Sequence, residues 1–217
     1  MNVNPTRMEL TRLKKQLSTA TRGHKLLKDK RDELMRQFLE MIRENKALRE
    51  QVEAGITDAN RHFVLASAVM QREQMDAALL SPKQEVGVEI STRNVMSVDI
   101  PVFSPVTRTP DPSDIYPYGF AFTSFELDDA VQRLSGLLPM MLRLAECEKS
   151  TRLLAAEIEK TRRRVNALEH VMIPRLQETI RYITMKLEEN DRSSRTRLMK
   201  VKDMMLEKAH HYHAETM

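Results

Sequence analysis

The residues best able to do chemistry in this 217-residue chain are few and badly spaced for it. Its five glycines, Gly23, Gly55, Gly87, Gly119 and Gly136, stand alone. A phosphate-cradling loop needs clustered glycines, as in G-x-x-x-x-G-K or G-x-G-x-x-G, so that backbone N–H groups can approach the phosphates. Neither pattern can be written here, so no nucleotide cofactor is expected. Cys147 is the one cysteine, which excludes both a cysteine pair for zinc and an internal disulfide. It reads as a free thiol in a reducing compartment. His210, His211 and His213 lie near the C-terminus. Residues 210 and 213 share a helical face and could hold a metal weakly, or the three could belong to a solvated tail. No Ser/His/Asp spacing marks a nucleophile, and no catalytic residue is assigned.

What remains is charge and periodicity. Charged residues make up 30% of the chain and aromatics 5%, without Trp, a balance that suits long helices better than a compact globule. The net charge of +4 is unevenly spread. Residues 1–31 carry nine Lys or Arg against Glu9 and Asp29, and residues 192–217 carry six against three, while residues 44–79 are slightly acidic. Both ends are basic and the interior is not. No apolar run approaches the ~20 residues that a spanning helix needs, and the N-terminus shows no signal peptide. The expectation is a soluble, cytoplasmic protein without direct membrane insertion.

Residues 6–79 read as one helix. Thr6 and Glu9 have capping-box spacing, and Asn4-Pro5 is a second start signal. Apolar positions recur at alternating steps of three and four: Leu10, Leu13, Leu17, Ala20, Leu27, Leu34, Phe38, Met41, Leu48, Val52 and Ala59, with Gly55 in phase. That is the seam of a coiled coil. His24, Arg31 and Asn45 also fall on it, either fixing register or facing a partner. Ser81-Pro82 stops the helix.

Residues 124–212 read as a second long helix. Its seam is expected at Leu127, Val131, Leu134, Leu138, Met141 and Ala145, and again from Val165 through Leu176 and Leu187 to Leu198, Val201 and Met205. Val165, Leu176, Leu187 and Leu198 are eleven apart, a period implying little left-handed supercoil. Pro139 and Pro174 should kink this helix without breaking it. Between the two helices, residues 80–123 form a small head. Val86, Val88 and Ile90, then Met96, Val98, Ile100 and Val102, alternate with polar residues, predicting a β-hairpin that turns within Ser91–Asn94. Residues 104–123, with Pro105, Pro110, Pro112 and Pro117, are expected to be an irregular loop.

The predicted fold is mostly α: a long antiparallel two-helix coiled coil with a small β-hairpin and loop head. At about 1.5 Å per residue, 70 or more residues would make a rod of roughly 100 Å. Its two basic segments would meet at one end and its head would lie at the other.

The opening Asn4-Pro5-Thr6-Arg7-Met8-Glu9-Leu10, with the run Leu13 to Phe38 (LKKQLSTATRGHKLLKDKRDELMRQF), resembles the start of the D subunit of vacuolar/archaeal-type rotary ATPases. The run Arg162 to Lys202 resembles the same family's C-terminal helix, most tellingly at Val165-Asn166-Ala167-Leu168-Glu169 and Ile173-Pro174. The resemblance implies a non-catalytic central axle that pairs with a small F subunit. The axle penetrates a ring of A and B subunits and sits on a funnel-like subunit above the membrane rotor ring. The coupling ion, proton or sodium, would be a property of that ring.

On this reading Arg7, Arg12, Lys14 and Lys15, with Arg195, Arg197, Lys200 and Lys202, face the walls of the catalytic hexamer. Phe63, Val64, Phe120, Phe122 and Phe125 either meet the F subunit or form the head's own core. Met8, Met199 and Met204 would be soft contacts against a changing surface. The alternative is a cytoplasmic scaffold coiled coil. A coiled coil binding nucleic acid through its basic tip is a third reading, and it lacks aromatic stacking residues; no nucleic acid is expected as a partner.

Overall fold

The computed structural model describes residues 4–109, 111, 113–119, 121 and 123–215, with side chains through residue 206. The chain is mostly α, with long helices and one two-stranded antiparallel sheet. The elements are α1 (Arg7–Val69), α2 (Arg72–Leu79), β1 (Val86–Val95), β2 (Val98–Thr107), α3 (Phe125–Ala167), a π-helical turn (Leu168–Met172) and α4 (Ile173–Glu215). They contribute to two compact units, residues 1–29 with 161–217 and residues 30–160.

In the first unit, α1 starts as its sequence dictates. The Thr6 hydroxyl accepts from the Glu9 backbone N–H at 3.2 Å, satisfying one donor that the first turn leaves without a helical partner. Leu13 is buried, and Leu17, Ala20 and Leu27 are half-buried. Opposite them, Thr161, Val165, Thr179 and Ile183 are buried. Arg7 meets Asp191, and His24 meets Glu169 at 3.4 Å, so numbers fall on one helix as they rise on the other: the pairing is antiparallel. His24 is thus a half-buried polar seam residue with a partner across the helix pair.

A π turn falls within the first eleven-residue interval, Val165 to Leu176. Its wide turn is closed by the Ile173 N–H donating to the Leu168 carbonyl five residues back. It lies immediately before Pro174, whose ring would otherwise crowd the carbonyl of His170, four residues earlier. One extra residue is absorbed there, so the covered stripe passes from Val165 to Ile173, Leu176, Ile180, Ile183 and Leu187. The seam does not continue as the sequence suggested. Every described side chain from residue 188 to 206 is exposed, including Leu198, Val201 and Met205. The physical reason is that α1 begins at Arg7, level with Asp191, and leaves the rest of α4 with no helix to face.

In the second unit α1 pairs with α3, again antiparallel, through Lys30–Glu157, Glu44–Arg143, Arg49–Glu148, Asp58–Arg133 and His62–Glu126. Every seam position expected on α1 from Arg31 to Ala59 is buried or half-buried. The seam on α3 departs from expectation. Leu134, Met141 and Ala145 are exposed. The covered face instead runs through Leu127, Ala130, Leu137, Cys147, Ser150, Leu154 and Ile158. Small and polar residues at 147 and 150 dim that stripe in the sequence, and exposed leucine and methionine brighten the wrong one. Gly55 sits against Leu137: a Cβ there would stand 2.9 Å from Leu137 Cδ1. Helix α3 runs on through Pro139.

Two further departures come from tertiary burial. The first long helix ends at Val69 rather than near 79: Gln71 is extended (φ −68°, ψ 142°) and α2 follows. The break lets Met70, Met75 and Ala78 pack with Ala66 on Leu127, flanked by Tyr118 and Val131. The hairpin turns at Met96–Ser97 rather than within Ser91–Asn94, and β2 runs on to Thr107. Both turn residues have positive φ, 52° and 69°, the two-residue hairpin geometry usually given to Asn-Gly. Asn94 supports it, its side-chain oxygen accepting from the Ser97 N–H at 3.1 Å. A two-stranded sheet is marginal in water without packing. Here Val98 and Ile100 are buried with Leu34, Leu154 and Ile158, and Val95 and Met96 pack on the same cluster. The hairpin tip thus lies against the α1–α3 pair itself.

Candidate partner-binding surfaces

Three surfaces, each within one unit, expose charge and apolar groups together. The first is α4 beyond Asp191. At about 1.5 Å per residue, residues 192–215 extend it by roughly 36 Å. Arg195, Arg197, Lys200 and Lys202 are all exposed there and make no ion pair among the described residues. Leu198, Met199, Val201, Met204, Met205 and Leu206 are exposed among them. Charge and apolar surface therefore alternate around a helix whose described side chains from residue 192 to 206 are all exposed, an arrangement suited to a protein wall. The side chains of His210, His211 and His213 lie outside the described residues. Among the described residues no group of His, Cys, Asp and Glu could hold a metal ion.

The second surface is the start of α1. Arg7, Arg12, Lys14 and Lys15 are exposed. Arg7 is 3.3 Å from Asp191 and Arg12 is 3.6 Å from Glu9, while Lys14 and Lys15 make no ion pair among the described residues. Ion pairs this exposed contribute little to stability and exchange readily for a partner's carboxylates. Between this helix and the π turn runs a groove of about 1080 Å³, floored by Met8, Ala20, Leu168, Met172 and Leu176 and rimmed by Arg7, Arg12 and Lys15. Gly23 leaves it open, since a Cβ there would meet nothing within 4 Å.

The third surface lies at the far end of α1, in the second unit. Phe63 is 39% exposed, Val64 65% and Phe125 73%. None of them joins the small core, which is built from Ala66, Met70, Met75, Ala78 and Leu127. That core draws on the seam face of α1, and Val64 points off it. Phe120 and Phe122 lie outside the described residues. Thr57, Asn60, Arg61, Val64 and Leu65 line a shallow depression of about 620 Å³. Sequence reading missed Leu65 and Val69, both exposed. Their only signal was that they are apolar residues off the heptad.

A polar clamp holds the loop beside this end. Lys83 pairs with Asp114, and the Asp114 carboxylate also accepts from the Thr109 hydroxyl at 2.8 Å. The Lys83 ammonium, then the Thr109 hydroxyl, hold that carboxyl below its usual range. Tyr118 donates to Asp128 at 2.8 Å. Burial, and then that bond to an anion, push the phenol above its ordinary range. Cys147, whose thiol donates to the Met41 carbonyl at 3.5 Å, is likewise held protonated, chiefly by burial.

The family model for the D subunit of ATP synthase matches residues 9–203. The chain belongs to the ATP synthase D-subunit family. Relatives named as the D subunit of V-type ATP synthase agree along nearly the whole chain. One from Acetivibrio thermocellus is 64% identical over 212 residues, covering 98% of this chain and 96% of the relative. One from Clostridioides difficile is 65% identical over 209 residues, covering 96% and 94%, and one from Clostridium botulinum is 57% identical over 209 residues, covering 96% and 97%. Among the described residues no helix is long and apolar enough to cross a membrane.

Proposed function

We propose that the chain is the central rotor axle of a vacuolar/archaeal-type ATP synthase. It transmits torque between an ion-driven membrane ring and the A and B subunits that make or hydrolyse ATP, and it is not itself catalytic. It works with the F subunit and stands on the funnel-like subunit above the ring, at the cytoplasmic face and peripheral to the membrane. Family membership carries the assembly. The observation that carries the mechanical role is α4 beyond Asp191: roughly 36 Å of single helix, with every described side chain exposed and basic and apolar groups around its circumference.

A shaft changes a catalytic subunit's state only if it makes different contacts with its different states. Two unlike helices, α1 and α4, present unlike side chains around the axis, so each A–B pair meets a different face at each angle. Arg195, Arg197, Lys200 and Lys202 on α4, with Arg7, Arg12, Lys14 and Lys15 on α1, supply the charges that meet the hexamer. Phe63, Val64 and Phe125 are assigned to the contact with the F subunit.

The test is to replace the eight basic residues together with glutamine in the assembled complex. Helical content and melting temperature should stay unchanged while ATP-driven ion transport falls at least tenfold. Full transport in that variant refutes the assignment of these residues to the hexamer.

A further inference from the structure

The hairpin has two unequal edges. The Phe103 N–H donates to Glu146 Oε2 at 3.2 Å and not to its partner Ile90, so the Ile90–Phe103 pair is not hydrogen-bonded across the sheet. The Arg108 N–H, by contrast, donates to the Glu85 carbonyl at 3.0 Å. Antiparallel ladders alternate strictly, so the parity of every pair is set. On β2 the outward-facing backbone groups belong to Asp99, Pro101, Phe103, Pro105 and Thr107. Two of these are prolines with no N–H, and the Phe103 N–H is already satisfied by Glu146. Such an edge is closed to further pairing.

The outward-facing groups of β1 belong to Val86, Val88, Ile90, Thr92 and Asn94. None is a proline, and their backbone N–H groups make no hydrogen bond among the described residues. Residues 87–94 are all exposed. Natural sheets seldom leave one long edge open while closing the other.

We propose that β1 accepts an antiparallel edge strand from another subunit of the complex. This rests on the axle reading above and adds a mode of contact to it. The exposed side chains state the partner's chemistry. Val88 and Ile90 lie on one face and ask for apolar residues beside them. Glu89 and Arg93 lie on the other, exposed and without an ion pair among the described residues. Across the new ladder they fall in the closer, non-hydrogen-bonded pairs, where an opposite charge acts most strongly. The incoming strand therefore carries a base opposite Glu89 and an acid opposite Arg93, four residues apart. A second copy of β1 would satisfy the same rule about Ser91, but a single axle has no place for it.

The test is amide hydrogen exchange at single-residue resolution, on the chain alone and in the purified complex. The Ser91 and Arg93 amides, already bonded within the hairpin, should be slow in both. The Ile90 and Thr92 amides should be fast in the chain alone and at least tenfold slower in the complex. Equal rates in the two samples, in a complex that contains the chain and rotates, overturn the proposal while leaving the axle intact. Slowing in the isolated chain that grows with its concentration means self-pairing, and also overturns it. Thr92→Pro removes one outward donor and none that the hairpin uses. It should leave the far-ultraviolet spectrum unchanged and restore fast exchange at Ile90 in the complex, whereas Thr92→Val should not.

Discussion

Replacing Gly55 with alanine tests the helix pairing where Leu137 packs over a glycine. In an exposed helix interior, Gly→Ala stabilises by about 1 kcal/mol. At Gly55 the new methyl would stand 2.9 Å from Leu137 Cδ1 and 3.1 Å from Leu137 Cγ, too close without repacking. Overpacking of this kind costs about 1–3 kcal/mol, so the net change should be a loss of about 1 kcal/mol. Leu137→Ala alone removes a buried leucine and should cost about 3 kcal/mol. The double variant has no clash left and keeps the helix-propensity gain, so it should be only about 2 kcal/mol less stable than the parent. The two changes are therefore coupled by about 2 kcal/mol, a size expected of residues in direct contact. Gly23→Ala, with nothing within 4 Å of its Cβ, is the control and should stabilise by about 1 kcal/mol. Urea unfolding followed by circular dichroism reads all four variants. Strict additivity of Gly55→Ala and Leu137→Ala, or a gain at Gly55 equal to that at Gly23, would refute close packing of the two helices at this point.

Deleting residues 192–217 removes no buried described side chain, so the melting temperature should move by no more than about 2 °C while ATP-driven transport is lost. A large drop in melting temperature would show that α4 beyond Asp191 is structural. Leu154→Ala empties a fully buried position shared with Val98 and Ile100, and should cost about 2–5 kcal/mol in urea unfolding and speed exchange throughout the hairpin. The Tyr118 phenol has a higher pKa folded than unfolded, so the unfolded chain loses its proton first. Its contribution is complete below about pH 10 and falls as pH rises beyond that. Tyr118→Phe should flatten the alkaline decline of stability, measured by urea midpoints at pH 9, 10 and 11.

How legible the molecule was depended on whether apolar periodicity had one meaning or two. On α1 it had one: the heptad from Leu10 to Ala59 is buried or half-buried throughout, because its apolar residues recur in one phase across the polar His24, Arg31 and Asn45. On α3 it had two. Leu134 and Met141 look like seam and are exposed, while Cys147 and Ser150 look like surface and are buried. On α4 the stripe through Leu198 and Met205 has the spacing of a seam but no helix to face. Periodicity reports an apolar face, not which molecule covers it. The Met96–Ser97 turn carries no glycine or asparagine; its left-handed geometry is held by burial of neighbouring Val95 and Met96 against distant Leu34 and Leu154, which local sequence does not encode. The basic candidate residues were legible as charge. The open edge of β1 was not, because it depends on which carbonyls and amides the ladder leaves facing outward.

The proposed axle role can be tested directly by watching single complexes for rotation. The A and B hexamer is fixed to glass and a bead is attached to an exposed cysteine introduced at Ser81, with Cys147 replaced by serine. With ATP supplied, the bead should turn continuously in one direction. A bead that stays still while ATP hydrolysis continues would contradict the axle role.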